Sequence, residues 1–481
     1  MHDIAHPSSS HPRTTSPGWV LALASAGSLM VALDQLVVAN ALTTIRADLG
    51  ASAEALEWTV NAFNLSFAVF LLAGAALGDR FGRRRLFLTG LVAFTVASAA
   101  CALAPGIGLL IAFRVAQGLG AALVLPLAIA LLNAAYPAAR RGRAQGLFAA
   151  LTGLAVVAGP VLGGVITEGL DWRWIFWLNV PIGAVVVPLA AIRIAESRGR
   201  PARLDLVGLV LVGAGSFGAV WALVRSNPAG WGSAEVLIAA AAGAVLIAAF
   251  VGWELRTPEP MLPMRLFGIR AFAAGNAVAF LLTASLFGMV FLLSQYLQAG
   301  LGHSPLGAGL RTLPWTALLF VAAPVSGVLT DRIGPRPLIV AGLAVQAAGF
   351  AWIALVARDG WGYPALVPGL VVAGLGVSVA MPPGQHAVVQ AVDEDMIGKA
   401  SGSYSMLRQL GGVFGIAILA ATFGAAGGYG GPADFASGAA PAFAVAAALS
   451  LLGALAGLGV GRRRRPAAVV MPAPEAVVAA G

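Results

Sequence analysis

The sequence predicts an all-α polytopic membrane protein: two six-helix bundles plus two extra central spans, 14 transmembrane helices in all. Three observations carry that prediction. Apolar stretches recur about fourteen times along 481 residues, each near the length that crosses a bilayer. The chain is 59% hydrophobic and 10% charged, against about 25% charged in soluble domains. An arginine-rich break, Gly78-Asp79-Arg80-Phe81-Gly82-Arg83-Arg84-Arg85, has a shorter counterpart at Asp331-Arg332-Ile333-Gly334-Pro335-Arg336, 252 residues later.

The elements follow in order. Residues 1–18 read as a disordered cytoplasmic tail, polar and rich in proline and serine. The apolar run from Trp19 to Leu42 is too long for a signal-peptide core, so it reads as the first span. Further spans are expected near 57–78, 86–104, 107–133, 145–167 and 173–194, completing an N-terminal bundle over 19–194. Two linking spans near 205–225 and 234–254, with their cytoplasmic loops, occupy 195–271. The C-terminal bundle covers 272–461, with spans near 272–295, 308–330, 338–357, 363–386, 400–424 and 438–461. Residues 462–481 form a cytoplasmic tail.

Orientation follows from the basic residues. With the N-terminus inside, 22 of the 29 Lys and Arg fall in cytoplasmic segments and five in external ones. Both termini are therefore expected inside the cytoplasmic membrane, and the run Arg462–Arg465 after the last span agrees. A duplication supports the two-bundle plan. Gly142-Arg143-Ala144-Gln145-Gly146 opens the fifth span, and Gly398-Lys399-Ala400-Ser401-Gly402 opens the thirteenth, 256 residues on. Parallel repeats of this kind place a substrate site between the halves near the midplane.

Composition also excludes functions. The basic residues sit in short inter-helix loops, so the net charge of +9 does not indicate nucleic acid. The one cysteine, Cys101, rules out an internal disulfide. No Gly-x-x-x-x-Gly-Lys-Ser/Thr run is present, so ATP is not the energy source. No Ser-His-Asp or metal-spaced cluster suggests an enzyme, no repeated polar stripe suggests a channel, and no cofactor or metal is expected.

Four segments give the chain a family resemblance. The loop break matches Gly-x-Leu-x-Asp-Arg-x-Gly-Arg-Arg at Leu77, Asp79, Arg80, Gly82, Arg83 and Arg84, with Ala75 in place of the first glycine. The fifth span matches an antiporter pattern at Gly146, Gly159, Pro160, Gly163 and Gly164, with Ala155 replacing one glycine. The entry to the sixth span reads Trp172-Arg173-Trp174-Ile175-Phe176-Trp177-Leu178-Asn179-Val180-Pro181. The first span matches at Leu33, Asp34, Val37, Val38, Ala41 and Leu42, while Leu36, Ala39 and Thr43 replace the Thr, Asn and Pro of the motif. From Trp19 to Val460 the chain resembles the 14-spanner drug:proton antiporters of the major facilitator superfamily. The resemblance implies a major facilitator fold and proton-coupled efflux of lipophilic or cationic small molecules by alternating access. The alternative is a proton-coupled exporter or importer of one metabolite on the same fold. The expected partners are a small-molecule substrate, protons and the lipid bilayer, and the expected state is a monomer.

Each candidate site residue has a physical reason. Asp34 reads as the only carboxylate well inside an apolar run, which is costly and a functional hypothesis by default. By helix rise it lies roughly 22 Å from Trp19, and Arg114 lies at a matching depth on the fourth span. A positive neighbour favours an ionised carboxylate and an apolar surround favours the acid. A pair held between these influences can exchange a proton; the plainer reading is a static brace between helices. Gln117 shares the Arg114 face and is a possible substrate contact. Asp79 can accept from arginines of its own loop or cap a neighbouring helix; the resemblance implies the second, a latch between halves with Arg80, Gly82, Arg83, Arg84, Asp331 and Arg332 in the paired gating loops. Pro160 cannot donate to the carbonyl four residues back, so Gly159-Pro160 kinks the fifth span, and Gly163-Gly164 admits close approach. The kink serves antiport or is a generic packing feature. Arg408 lines the cavity or reaches toward the cytoplasm. Gln295 and Tyr296 are substrate contacts or an interfacial belt.

Overall fold

A computed structural model describes residues 16–199 and 204–461. The expected tails, at 1–15 and 462–481, and Arg200 and Arg203 lie outside the described residues. Among the described residues, 14 helices are long and apolar enough to cross a membrane. They are α1 (Pro17–Leu49), α2 (Ala53–Phe81), α3 (Arg83–Ala102), α4 (Ile107–Ala135), α5 (Ala138–Gly169), α6 (Trp174–Arg193), α7 (Leu206–Ala229) and α8 (Ala234–Arg256), then α9 (Arg270–Gly300), α10 (Pro305–Ile333), α11 (Pro335–Arg358), α12 (Tyr363–Val389), α13 (Ile397–Ala426) and α14 (Pro432–Gly457). Successive helices run in opposite directions. The face where α1 begins and α14 ends is called proximal, and the opposite face distal.

Helix ends depart from the hydropathy boundaries for local reasons. α1 runs on past Leu42 to Leu49, stopped by Gly50 in the left-handed region at φ 59°. This carries Arg46 and Asp48 on the helix. α2 starts at Ala53 because Ser52 caps it, its hydroxyl accepting from the Ala55 amide at 3.2 Å. α10 is broken into three segments, with Pro314 opening the second and Pro324 inside the third.

Helices α1–α6 pack together, as do α9–α14, and α7 lies over the seam where α2 meets α13. α8 packs chiefly on α7. At the proximal end of these linking helices, Asp205 caps α7, its carboxylate accepting from the Gly208 amide at 2.8 Å and the Trp253 indole at 2.9 Å. Beside it, Glu254 accepts from the Leu262 amide at 3.1 Å. The Glu254 side chain is buried, one of two further buried carboxylates besides Asp34 among the described residues.

Candidate functional site

The core of the N-terminal half holds a sealed polar cluster. Asp34 on α1 is 2% exposed, and Arg114 and Gln117 on α4 are fully buried. One Asp34 oxygen accepts a close hydrogen bond from Arg114 Nη1. The other accepts from Gln117 Nε2 at 2.7 Å and Asn179 Nδ2 at 3.1 Å. Ser98 Oγ accepts from Gln117 at 3.1 Å and Asn179 at 2.9 Å, and donates to the Phe176 carbonyl at 3.0 Å. Arg114 also donates to Gln117 Oε1 at 2.7 Å and, through Nε, to the Thr59 carbonyl at 3.1 Å. Its guanidinium lies 4.3 Å from the centre of the Phe63 ring. A buried ion pair persists only when further hydrogen bonds support both ions; α2, α3, α4 and α6 each supply some, while Arg114 Nη2 stays buried without a partner. Gln117 faces this cluster, not the space between the halves.

A second polar set closes the distal end between the halves. Asn40 Nδ2 donates to the Pro160 carbonyl on α5 at 2.7 Å and the Pro305 carbonyl on α10 at 3.0 Å. Its Oδ1 accepts from Ser294 on α9, and Thr43 donates to Gln298, both at close range. Gln298 donates to the Asn40 carbonyl at 3.0 Å, and the Leu306 amide donates to Glu168 at 3.0 Å. The glycines permit this contact: a Cβ on Gly164 would sit 2.6 Å from Leu306 Cα, and one on Gly309 would sit 2.3 Å from the Pro160 carbonyl oxygen. α5 continues through Pro160 as a helix to Gly169.

Toward the proximal face the same two helices part. Leu154, Val157, Ala158 and Val161 of α5 and Phe320 of α10 line an open, apolar cleft between the halves. Farther along α10, Pro324, Val325, Val328, Leu329 and Arg332 line a second hollow. The halves are thus closed at the distal end and open at the proximal end on the α5–α10 side.

The loop motif is tied within its own half. Asp79 accepts from Arg83 Nε at 2.7 Å, one helical turn on. Latching of a neighbouring helix, the alternative that the resemblance implied, is not what this conformation shows: the arginine of its own loop takes the carboxylate first. Gly82, at φ 113°, makes the turn between α2 and α3, and Glu196 fills the space above it. Glu196 accepts from the Arg84 amide at 2.9 Å and the Arg85 amide at 3.2 Å, at the start of α3. Arg84 reaches the Ile194 carbonyl at 3.1 Å. Arg80 is exposed, stacked over Phe81 at 5.2 Å. In the C-terminal repeat Asp331 and Arg332 are both exposed.

Two further expectations change. Gln295 and Tyr296 are buried, not part of an interfacial belt or a substrate surface in this state. Gln295 accepts from the Tyr429 hydroxyl at 2.6 Å, and Tyr296 packs edge-on to Phe443. The π-helical turn Tyr296–Gly300 carries Gln298 to α1 in their place. Arg408 is half-buried on α13, its Nε buried without a partner. Asp34 is not alone, because the early start of α2 buries Glu57 at 7% exposure.

Sequence reasoning missed Asn40, Ser98, Asn179, Glu196 and Glu57. A signal existed for two of them. Asn40 stands one position after the motif asparagine that Ala39 replaces, and Asn179 lies inside the sixth-span segment that carries part of the family resemblance.

Comparison with known proteins agrees with this architecture. The family model described as Major Facilitator Superfamily matches residues 24–291 and 276–477. A tetracenomycin C resistance and export protein of Streptomyces glaucescens is 36% identical over 405 residues, 83% of this chain and 75% of that protein. The cephamycin export protein CmcT of Amycolatopsis lactamdurans is 37% identical over 431 residues, 88% of each chain. The multidrug resistance protein Stp of Mycobacterium tuberculosis is 35% identical over 403 residues, 83% of this chain and 74% of that protein. Among solved structures, the inward-open xylose transporter XylE from E. coli superposes with a TM-score of 0.62 at 14% identity, covering 92% of this chain and 96% of that one. At that identity the likeness speaks for the fold alone. With matches over nearly the whole chain and a fold of two six-helix halves around a cleft, this protein belongs to the Major Facilitator Superfamily of membrane transporters and is not an enzyme.

Proposed function

We propose that this transporter exports lipophilic or cationic small molecules across the cytoplasmic membrane in exchange for protons. The proximal face is cytoplasmic, both termini lie inside, and the chain works as a monomer by alternating access. The conformation described is the inward-open one, in which substrate enters the apolar cleft between α5 and α10. Export is supported by the relatives, whose names are those of antibiotic export and resistance proteins.

The observation that carries proton coupling is Asp34, a buried carboxylate matched to one cation and two neutral amides. When α1 shifts against α4 inside the N-terminal half during the cycle, that balance changes. Losing contact with Arg114 favours the acid, and regaining it favours the carboxylate. Each cycle therefore moves a proton, and one charge crossing 100 mV supplies about 2.3 kcal/mol. Asp79, Arg83 and Glu196 hold the proximal end of the N-terminal half as one body. Gly159, Pro160, Gly163 and Gly164 let the distal gate close.

The test is uphill transport in proteoliposomes under an imposed pH gradient, using a lipophilic cationic dye. Asp34→Asn is expected to retain dye binding and lose accumulation. Accumulation at the wild-type level would assign Asp34 a static bracing role. A second reading, export of one endogenous product, is favoured by the single-product names of two of these relatives. A dye panel with no accumulated member would select it.

A further inference from the structure

We propose that Glu57 is a second proton-carrying site, loaded from the distal side as the distal gate closes. The inference rests on the alternating-access reading above. Glu57 lies on α2 at 7% exposure, and its Oε2 is buried with no hydrogen-bond partner. It makes no ion pair among the described residues. One turn on, along the same helix face, Asn61 is fully buried with both amide atoms unpartnered. This contrasts with Asp34, whose oxygens are met by a guanidinium and two amides.

The charged neighbours form no ion pair with Glu57, although Arg46 keeps its Nε buried without a hydrogen-bond partner. Glu54, one turn earlier, pairs with Arg225 of α7 at 3.1 Å. Arg46 of α1 stacks on the Tyr429 ring at 4.1 Å. Tyr429 donates its hydroxyl to Gln295 of α9 at 2.6 Å. Arg114 of α4 is held by Asp34. On α13, Arg408 lies far down the helix toward the proximal face. Among the described residues no cation forms an ion pair with Glu57, and an ionised carboxylate buried without one costs several kcal/mol.

The closed gate therefore stabilises the neutral acid. Closing forms one O–H bond at Glu57 with a proton drawn from distal water. Opening rehydrates the group, breaks that O–H bond and returns the proton to distal water. The closed form holds one more proton than the open form, so its fraction rises as pH falls. For one proton the closed-to-open ratio changes by at most about tenfold per pH unit.

The experiment follows the gate itself. Spin labels at Leu170→Cys and Leu310→Cys report the separation of α5 and α10 at their distal ends; both positions are exposed, and Cys101 is buried. Distances are measured on the full chain in nanodiscs, without substrate, across a pH series. With Glu57 present, the long-distance population is expected to shrink as pH falls. Glu57→Gln and Glu57→Leu are expected to give a mostly closed gate with a clearly reduced pH slope, only the Asp34 share remaining. Asp34→Asn with Glu57 intact is expected to keep the Glu57 share of the slope. A wild-type slope in Glu57→Gln overturns the proposal, and so does loss of the slope in Asp34→Asn alone. Gate distances are read without transport, so the export reading can fail independently.

Discussion

The two halves share a topology but not a chemistry. In the N-terminal half, α1, α3, α4 and α6 converge on Asp34 and Arg114 with Gln117, Ser98 and Asn179 around them. In the C-terminal half, the buried polar pair at the corresponding depth is neutral, Gln346 donating to Ser285 at 3.1 Å. The loops differ likewise: Asp79, Arg83, Arg84 and Glu196 are knitted together, while Asp331 and Arg332 are exposed. A duplicated fold therefore keeps its helix packing and concentrates charge in one copy.

The comparison can be broken most severely at Arg114. Arg114→Ala leaves Asp34 buried without its cation, a loss of about 3–5 kcal/mol. Gln346→Leu removes one neutral hydrogen bond and is expected to cost about 1 kcal/mol or less. Melting temperatures of the detergent-solubilised chains should show a much larger drop for Arg114→Ala. Equal drops would mean that the halves are energetically alike.

A smaller effect is expected at the contact between the halves. Asn40→Ala removes two hydrogen bonds that cross between the halves, one donated to the Pro305 carbonyl and one accepted from Ser294, about 2 kcal/mol together. The distal gate should open more often, by roughly thirtyfold in its equilibrium, seen as faster labelling of a cysteine introduced at Ala308, which is buried in this conformation. Unchanged labelling would mean that helix packing at Gly164 and Gly309 closes the gate without Asn40.

The smallest difference separates the repeated loops. Asp79→Asn should lower the transport rate by removing the partner of Arg83, with the half-exposed pair contributing up to about 1 kcal/mol. Asp331→Asn should leave the rate near wild type. Arg85→Ala should be milder than Arg83→Ala, because Arg85 meets Glu196 chiefly through its backbone amide. A larger loss from Asp331→Asn would give the C-terminal loop the controlling role.

Much of the Asp34 site is legible in the sequence. A carboxylate and an arginine in apolar runs are so costly that each needs a partner, and helix rise alone matches their depths. Glu57 escapes because hydropathy makes it the first residue of the second span, where a carboxylate costs little, whereas the helix begins at the Ser52 cap and carries it a turn inward. Gln295 and Tyr296 escape for the opposite reason. They lie at the end of an apolar run, and only the turn at Tyr296–Gly300 folds them back among Phe435, Phe443 and Tyr429.

By itself the sequence determined the span count, the duplication and the family, because bilayer thickness sets helix length and every span announces itself locally. Tertiary structure alone decided which polar groups meet. Asn40 joins the halves and Glu57 is left without a cation because residues on different helices converge, and hydropathy carries no record of that convergence. It also decided which end of the cleft is open, since closure at the Gly164–Leu306 contact belongs to one conformation of a chain whose sequence must encode at least two.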